Sequence, residues 1–204
     1  MPLYRDFSDD NATILIWKYD ENEELSIDEL LEPENAEKVK DYHPKKLLEV
    51  LMVRKLLKEL KPHSKILYKE REPFLSPKDA EISITHSFPF ASIAISKKKI
   101  GIDLERFNPK ILRVIDKFTY ENERGFIPED NADTYYTIIW SVKESMYKIH
   151  HSKYWSLKKN YEVKPFELKN LHKIRCRVYD DQFSDEFKAR VEFFDEYCFT
   201  IVEA

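Results

Sequence analysis

The 204 residues carry a formal net charge of −4, enough chain for one large domain or two small halves with a sizeable core. With 13 phenylalanines, 12 tyrosines and 3 tryptophans, the composition excludes long disordered stretches. The acidic balance speaks against a general nucleic-acid binder, so an acidic partner would have to meet a local basic patch.

In chain order, "ATILIWKY" at 12–19 reads as a first strand. "SIDELLEPENAEKVKDY" follows as a helix opened by a capping box, in which Ser26 and Glu29 satisfy each other's end of the backbone. A second helix, "HPKKLLEVLMVRKLLKELK", has Pro44 in its first turn and Leu and Val recurring at helical spacing. "ILY" at 66–68 is a short strand. Three more strands are expected at 81–87, 91–96 and 99–106, parted by the turn "SFPF" and by Lys97, Lys98 and Lys99. Residues 109–150 are helical in pattern, with a break near "GFIPEDNAD". From about 161 the period returns to two: in "HKIRCRVY", Ile174, Cys176 and Val178 alternate with basic residues, and "FKARVEFF" behaves likewise. "YCFTIV" at 197–202 is apolar on both faces and is expected as a central strand.

This order gives an α+β fold of two pseudo-symmetric α+β halves, 1–98 and 99–204, each a small antiparallel sheet with packed helices. No Pro/Gly/Ser-rich linker parts the halves, so they are expected to be tightly joined. Cys176 and Cys198 lack the spacing of a zinc site or disulfide framework, and Cys176 reads as a small buried hydrophobe. The start, "MPLYRDFSDDN", has no apolar signal segment, and no run reaches membrane-spanning length, so a cytoplasmic protein is expected.

Gly101 is one of two glycines in the chain and stands just before Asp103 and Glu105. Residues i and i+2 of a strand share a face, so these carboxylates converge. Each raises the other's pKa unless a positive charge lies between, and oxygen-only ligands favour magnesium or manganese. An isolated D-x-E pair suits a solvated edge strand as well. In "IIWSVKESMYKIHH" (138–151), Trp140, Glu144 and Lys148 form one helical stripe of aromatic, acid and base. Glu144 is a candidate third metal ligand and Lys148 a candidate phosphate contact; an exposed Glu–Lys pair one turn apart has the same spacing. His86 and Ser87 end a strand before a turn, placed to meet a phosphate, and a structural strand-end histidine fits there too. Adjacent strand residues face opposite ways, which rules out a Ser–His nucleophile pair.

Taken together, "SITHS", "GIDLE" and "WSVKESMYK" resemble the signature of the phosphopantetheinyl transferases, in particular the surfactin-synthetase-activator type. That signature runs S-H-[ST], G-[IV]-D-x-E and W-x-x-K-E-[SA]-x-x-K; the last two motifs match in full, about forty residues apart. The resemblance covers roughly residues 45–150. Where the family usually shows G-K-P-x-L, this chain has "REPFL", keeping Pro73 and Leu75 but placing Arg71 and Glu72 for Gly and Lys. The Gly-rich turn after the motif lysine is replaced by "HHSKYWSLKKN".

The resemblance implies a monomeric transferase that moves the 4′-phosphopantetheine arm of coenzyme A onto a serine of an acyl- or peptidyl-carrier protein. Asp103, Glu105 and Glu144 would hold Mg²⁺, or Mn²⁺, in a cleft between the halves. His86 and Lys148 would contact coenzyme A phosphates, Thr85 would add a hydroxyl, and Lys143 would bind the cofactor or orient Glu144. Glu123 falls where some members carry a general base. Arg54, with Lys45 or Lys46, stands where a basic residue meets the 3′-phosphate. Carrier proteins are acidic around their serine, so Lys97–Lys99 and Lys153, Lys158 and Lys159 are candidates for the docking surface. Neither nucleic acid nor membrane is implied as a partner. The competing readings are another metal-dependent phosphoryl-transfer enzyme, a nuclease included, and a degenerate member that binds carrier protein or nucleotide without turnover.

Overall fold

A computed structural model describes residues 3–150, 154 and 156–204, the side chain of Glu34 excepted. The chain divides into two units, Met1–Lys98 and Lys99–Ala204, and the fold is α+β with antiparallel sheets.

The first unit opens with β1 (Leu3–Asp6), which the sequence pattern did not suggest, and β2 (Ala12–Lys18). Two short helices follow, α1 (Ile27–Leu30) and α2 (Pro33–Val39), where one helix was expected. Pro33 disfavours helical backbone in the residue before it, and Glu32 is accordingly extended at φ −64°, ψ 147°. Ser26 does sit at the N-cap of α1, but its side chain makes no capping hydrogen bond, so the expected capping box does not form.

The long helix α3 (Pro44–Leu60) starts as expected with proline in its first turn, capped by the His43 side chain. The short expected strand widens into a hairpin, β3 (Lys65–Lys69) with β4 (Glu72–Ser76). Pro73 is tolerated because a two-stranded ribbon leaves each strand an open edge. The turn residues Glu70 and Arg71 have positive φ, 52° and 72°. Strands β5 (Glu81–Ser87) and β6 (Phe90–Ser96) complete a sheet ordered β1-β2-β6-β5. Met52, Val53, Leu56 and Leu57 of α3 pack on Trp17, Ala91 and Ile93 of that sheet and on Ile66 and Leu75 of the hairpin. Each such side chain stabilises the unit by about 1.5–3 kcal/mol.

In the second unit, β7 (Ile100–Arg106) leads into a broken stretch: a 3₁₀ turn at Pro109–Arg113, α4 (Ile115–Phe118), α5 (Glu121–Arg124) and a 3₁₀ turn at Glu129–Asn131. Regular helix resumes with α6 (Ala132–Ile149), followed by α7 (Leu157–Asn160). Strands β8 (Tyr161–Val163), β9 (Ile174–Tyr179), β10 (Ser184–Phe194) and β11 (Tyr197–Glu203) form a sheet ordered β7-β11-β10-β9-β8. β11 lies between two partners and is buried over Tyr197–Val202, as its two apolar faces require. Ile174, Cys176 and Val178 point into the core, where Ile138, Ile139, Val142, Met146 and Ile149 of α6 cover the sheet.

α6 crosses β7 at Gly101. A Cβ there would stand 2.1 Å from the Ser145 carbonyl oxygen and 2.6 Å from Ile149 Cγ2. Neither glycine has a positive φ, so Gly101 is required for space and not for backbone freedom. The close neighbour that requires the glycine is the helix. Among the described residues no helix is long and apolar enough to cross a membrane.

Candidate functional site

β7 and α6 meet along the stripe the sequence singled out. Trp140 Nε1 donates to Glu105 Oε1 at 2.8 Å. Two turns on, Lys148 Nζ donates to Asp103 Oδ1 at 2.9 Å and to the Ile102 carbonyl at 2.7 Å. Glu144 lies one turn from each along α6. Asp103 is buried at 5% exposure.

The crowding is visible in the electrostatics. Burial, and next the charge of Asp103, push the Glu105 carboxyl up to about 7 despite the hydrogen bond from Trp140. Burial and then Asp103 raise Glu144 also, while Lys148 opposes the shift. Carboxylates held this close in a desolvated place resist sharing negative charge unless a cation joins them. Among the described residues no three His, Cys, Asp or Glu side chains are drawn to metal-ligand spacing; the Lys148 ammonium stands against Asp103. As a donor set, two carboxylates from one strand and one from the helix above are hard oxygen ligands, which suits Mg²⁺ or Mn²⁺.

Lys143 and Glu123 are not brought to these carboxylates. Lys143 is fully buried and its ammonium donates to Glu123 Oε2 at 2.7 Å, the Phe118 carbonyl at 2.7 Å and the Leu157 carbonyl at 3.2 Å. Burial lowers the Lys143 pKa, and Glu123 counters it. Glu123 also accepts from the Tyr120 and Val163 amides at 2.7 and 2.8 Å. With one carboxylate tied to α5, α6 and β8 and 1% exposed, the pair is an internal strut. Neither side chain reaches solvent, where Lys143 was expected to bind the cofactor or orient Glu144 and Glu123 to act as a general base.

In the first unit, His86 at the end of β5 is held from both sides. Its Nε2 accepts from Lys46 Nζ at 2.7 Å, which leaves Nδ1 to face Glu49 Oε2 at 3.0 Å. Glu49 also accepts from the Phe88 amide at 3.3 Å, tying α3 to the β5–β6 turn. Glu49 was missed because its partner His86 is 37 residues away and only the fold unites them. Lys45 lies beside this group with Nζ 5.5 Å from the Phe88 ring centroid. Thr85 is buried and, as the neighbour of His86 on a strand, faces the other side of the sheet, so its hydroxyl does not join His86. Arg54 sits farther along α3, about 12 Å from Lys46 down the axis at 1.5 Å per residue, and packs against Tyr68 instead of His86. Lys97, Lys98 and Lys99 are exposed, as is Lys159, while Lys158 donates to the Asp116 carbonyl at 3.2 Å. Lys153 lies outside the described residues.

The family profile described as the 4′-phosphopantetheinyl transferase superfamily matches residues 99–202, which run from β7 to β11. A 4′-phosphopantetheinyl transferase, gsp, of Aneurinibacillus migulanus is 30% identical over 117 residues, covering 54% of this chain and 49% of that protein. A 4′-phosphopantetheinyl transferase of Bacillus subtilis is 31% identical over 74 residues, covering 34% of this chain and 33% of the relative. The aligned region thus spans half or less of each of these curated relatives.

Proposed function

Because the chain belongs to the 4′-phosphopantetheinyl transferase superfamily, we propose that it transfers the 4′-phosphopantetheine arm of coenzyme A to a serine of an acyl- or peptidyl-carrier protein. The serine hydroxyl gives up its proton to water, its oxygen forms a bond to the β-phosphorus, the bond from that phosphorus to the bridging oxygen breaks, and adenosine 3′,5′-bisphosphate leaves. Such transfer is mostly positioning and charge stabilisation.

The observation that carries this reading is the meeting of β7 and α6, with Asp103, Glu105, Glu144 and Lys148 at one place. Asp103, Glu105 and Glu144 would hold Mg²⁺, which when bound offsets the charge of the pyrophosphate. Lys148, on a flexible stem beside Asp103, turns to the pyrophosphate oxygens and stabilises the charge that builds on the bridging oxygen. Trp140 fixes the Glu105 carboxylate so that its free oxygen keeps one direction. Lys46 and Lys45, with His86 oriented by Glu49, take the 3′-phosphate. Arg54, turned away from that group, is left out of it, as are Lys143 and Glu123. The reaction is placed in the cytoplasm with the chain as a monomer, where Cys176 and Cys198 remain thiols. The exposed Lys97–Lys99 run steers the acidic carrier, an effect that fades as salt shortens the Debye length from about 10 Å at 0.1 M to about 3 Å at 1 M.

Intact-mass measurement of purified apo carriers, incubated with this protein, coenzyme A and Mg²⁺, tests the reading. A mass gain of one phosphopantetheine on one serine is expected. A panel of acyl and peptidyl carriers left entirely in the apo form, with Mg²⁺ or Mn²⁺, would overturn it.

A further inference from the structure

The first unit holds a cavity of about 370 Å³ remote from His86 along α3, lined by Glu29, Glu32, Arg54, Lys58, His63 and Lys65 among others. Arg54 is its most telling residue. It is 8% exposed, and a guanidinium does not shed its charge on burial as a lysine or carboxyl can. A buried charge is expensive unless it is paired. Yet Arg54 meets only the Tyr68 hydroxyl, at 3.4 Å, and the face of the Tyr68 ring, 5.6 Å from its centroid. Among the described residues no carboxylate pairs with it.

The rest of the lining sharpens the charge argument. Lys65 is already paired with Glu32 at 2.8 Å, so those two cancel. Arg54 and Lys58 then face Glu29 alone, leaving an excess of one positive charge. Leu57 and Ile66 give the cavity an apolar side. The set combines a forked donor that matches oxyanions in two places, a mobile ammonium beside it and an apolar wall.

We propose that this cavity binds a small phosphate monoester, with the phosphate on Arg54 and Lys58 and the organic remainder against Leu57 and Ile66. The site is separate from the one assigned to coenzyme A, since Lys46 and His86 lie at the other end of α3, and it does not depend on the transferase reading. Its occupant would join α1 and α2 to α3 and β3, adding to the apolar contact of Leu31 and Val39 with Leu51, and so would stiffen the unit.

Calorimetric titration of the full chain with inorganic phosphate and with glycerol 3-phosphate is the test, followed by thermal unfolding at each concentration. One saturable site is expected, the ester binding at least as tightly as phosphate and raising the melting temperature. Lys58→Gln, at an exposed position that leaves the ligand-free fold unchanged, should weaken the ester about tenfold, and Arg54→Gln should weaken it more. His86→Ala should leave the titration unaltered. Vesicles containing phosphatidic acid distinguish a lipid headgroup from a soluble ester, and no sedimentation with them is expected. The proposal is overturned if neither probe binds saturably, if Lys58→Gln binds like the wild type, if His86→Ala abolishes binding, or if only vesicles bind.

Discussion

Replacing Gly101 with alanine tests how the fold and the site depend on one contact. The new Cβ would lie 2.1 Å from the Ser145 carbonyl oxygen, more than an ångström inside the ordinary contact range that begins at 3.4 Å. That oxygen belongs to the backbone of α6, so no side-chain rotation relieves the clash and the helix must move off β7. Overpacking of this kind costs about 1–3 kcal/mol, and a backbone clash belongs at the upper end. The same displacement carries Glu144 and Lys148, which flank Ser145, away from Asp103 and Glu105. Misplacing reacting groups by an ångström lowers rate by about 100-fold. Gly125→Ala is the control: its Cβ would meet the Asn122 carbonyl at 3.8 Å, and its φ of −67° suits alanine. Its stability should hold or rise by about 0.4–1 kcal/mol. Urea unfolding and the initial rate of carrier modification read both consequences. If Gly101→Ala unfolds within about 0.5 kcal/mol of the wild type and turns over at the same rate, the packing argument is wrong.

Lys143→Met leaves the Glu123 carboxylate buried without its partner and should cost about 3–5 kcal/mol in urea unfolding, most of it recovered by Lys143→Met combined with Glu123→Leu. Glu49→Gln removes the charge that orients His86; the KM for coenzyme A should rise about tenfold with kcat unchanged, and the KM for 3′-dephospho-coenzyme A should stay constant. Arg71→Gly should relieve a left-handed residue (φ 72°) in the β3–β4 turn, stabilising the chain by about 1 kcal/mol and raising Tm by about 2–4 °C in a thermal scan.

The long, strongly patterned elements were legible because burial imposes their periods: α3, α6, β5 to β7 and β11 fall where apolar spacing puts them. β1 was not, since its burial is slight and no alternation marks it. The split of α1 from α2 was written in Pro33, whose effect on Glu32 outweighed an apolar pattern that ran across it. At the site, the i, i+2 rule and the i, i+4 stripe predicted which faces Asp103, Glu105, Trp140, Glu144 and Lys148 would share, because both periods are local geometry. The Lys143–Glu123 pair was not legible, for the opposite reason. Lys143 is one residue from Glu144 and therefore about a quarter-turn around α6, where only the approach of α5 reveals Glu123 as its partner. Glu49 is the same case: a helix-surface acid until β5 brings His86 to it.

The central claim is that the carboxylates of β7 and α6 form one metal site. Electron paramagnetic resonance of Mn²⁺ added to the metal-free protein measures it directly, without carrier or coenzyme A. The wild type should bind one Mn²⁺, displaced by excess Mg²⁺, and Asp103→Asn, Glu105→Gln and Glu144→Gln should each lose that site while remaining folded by circular dichroism. A Glu144→Gln protein that binds Mn²⁺ as the wild type does would contradict the account, because α6 would then contribute no ligand to the carboxylates of β7.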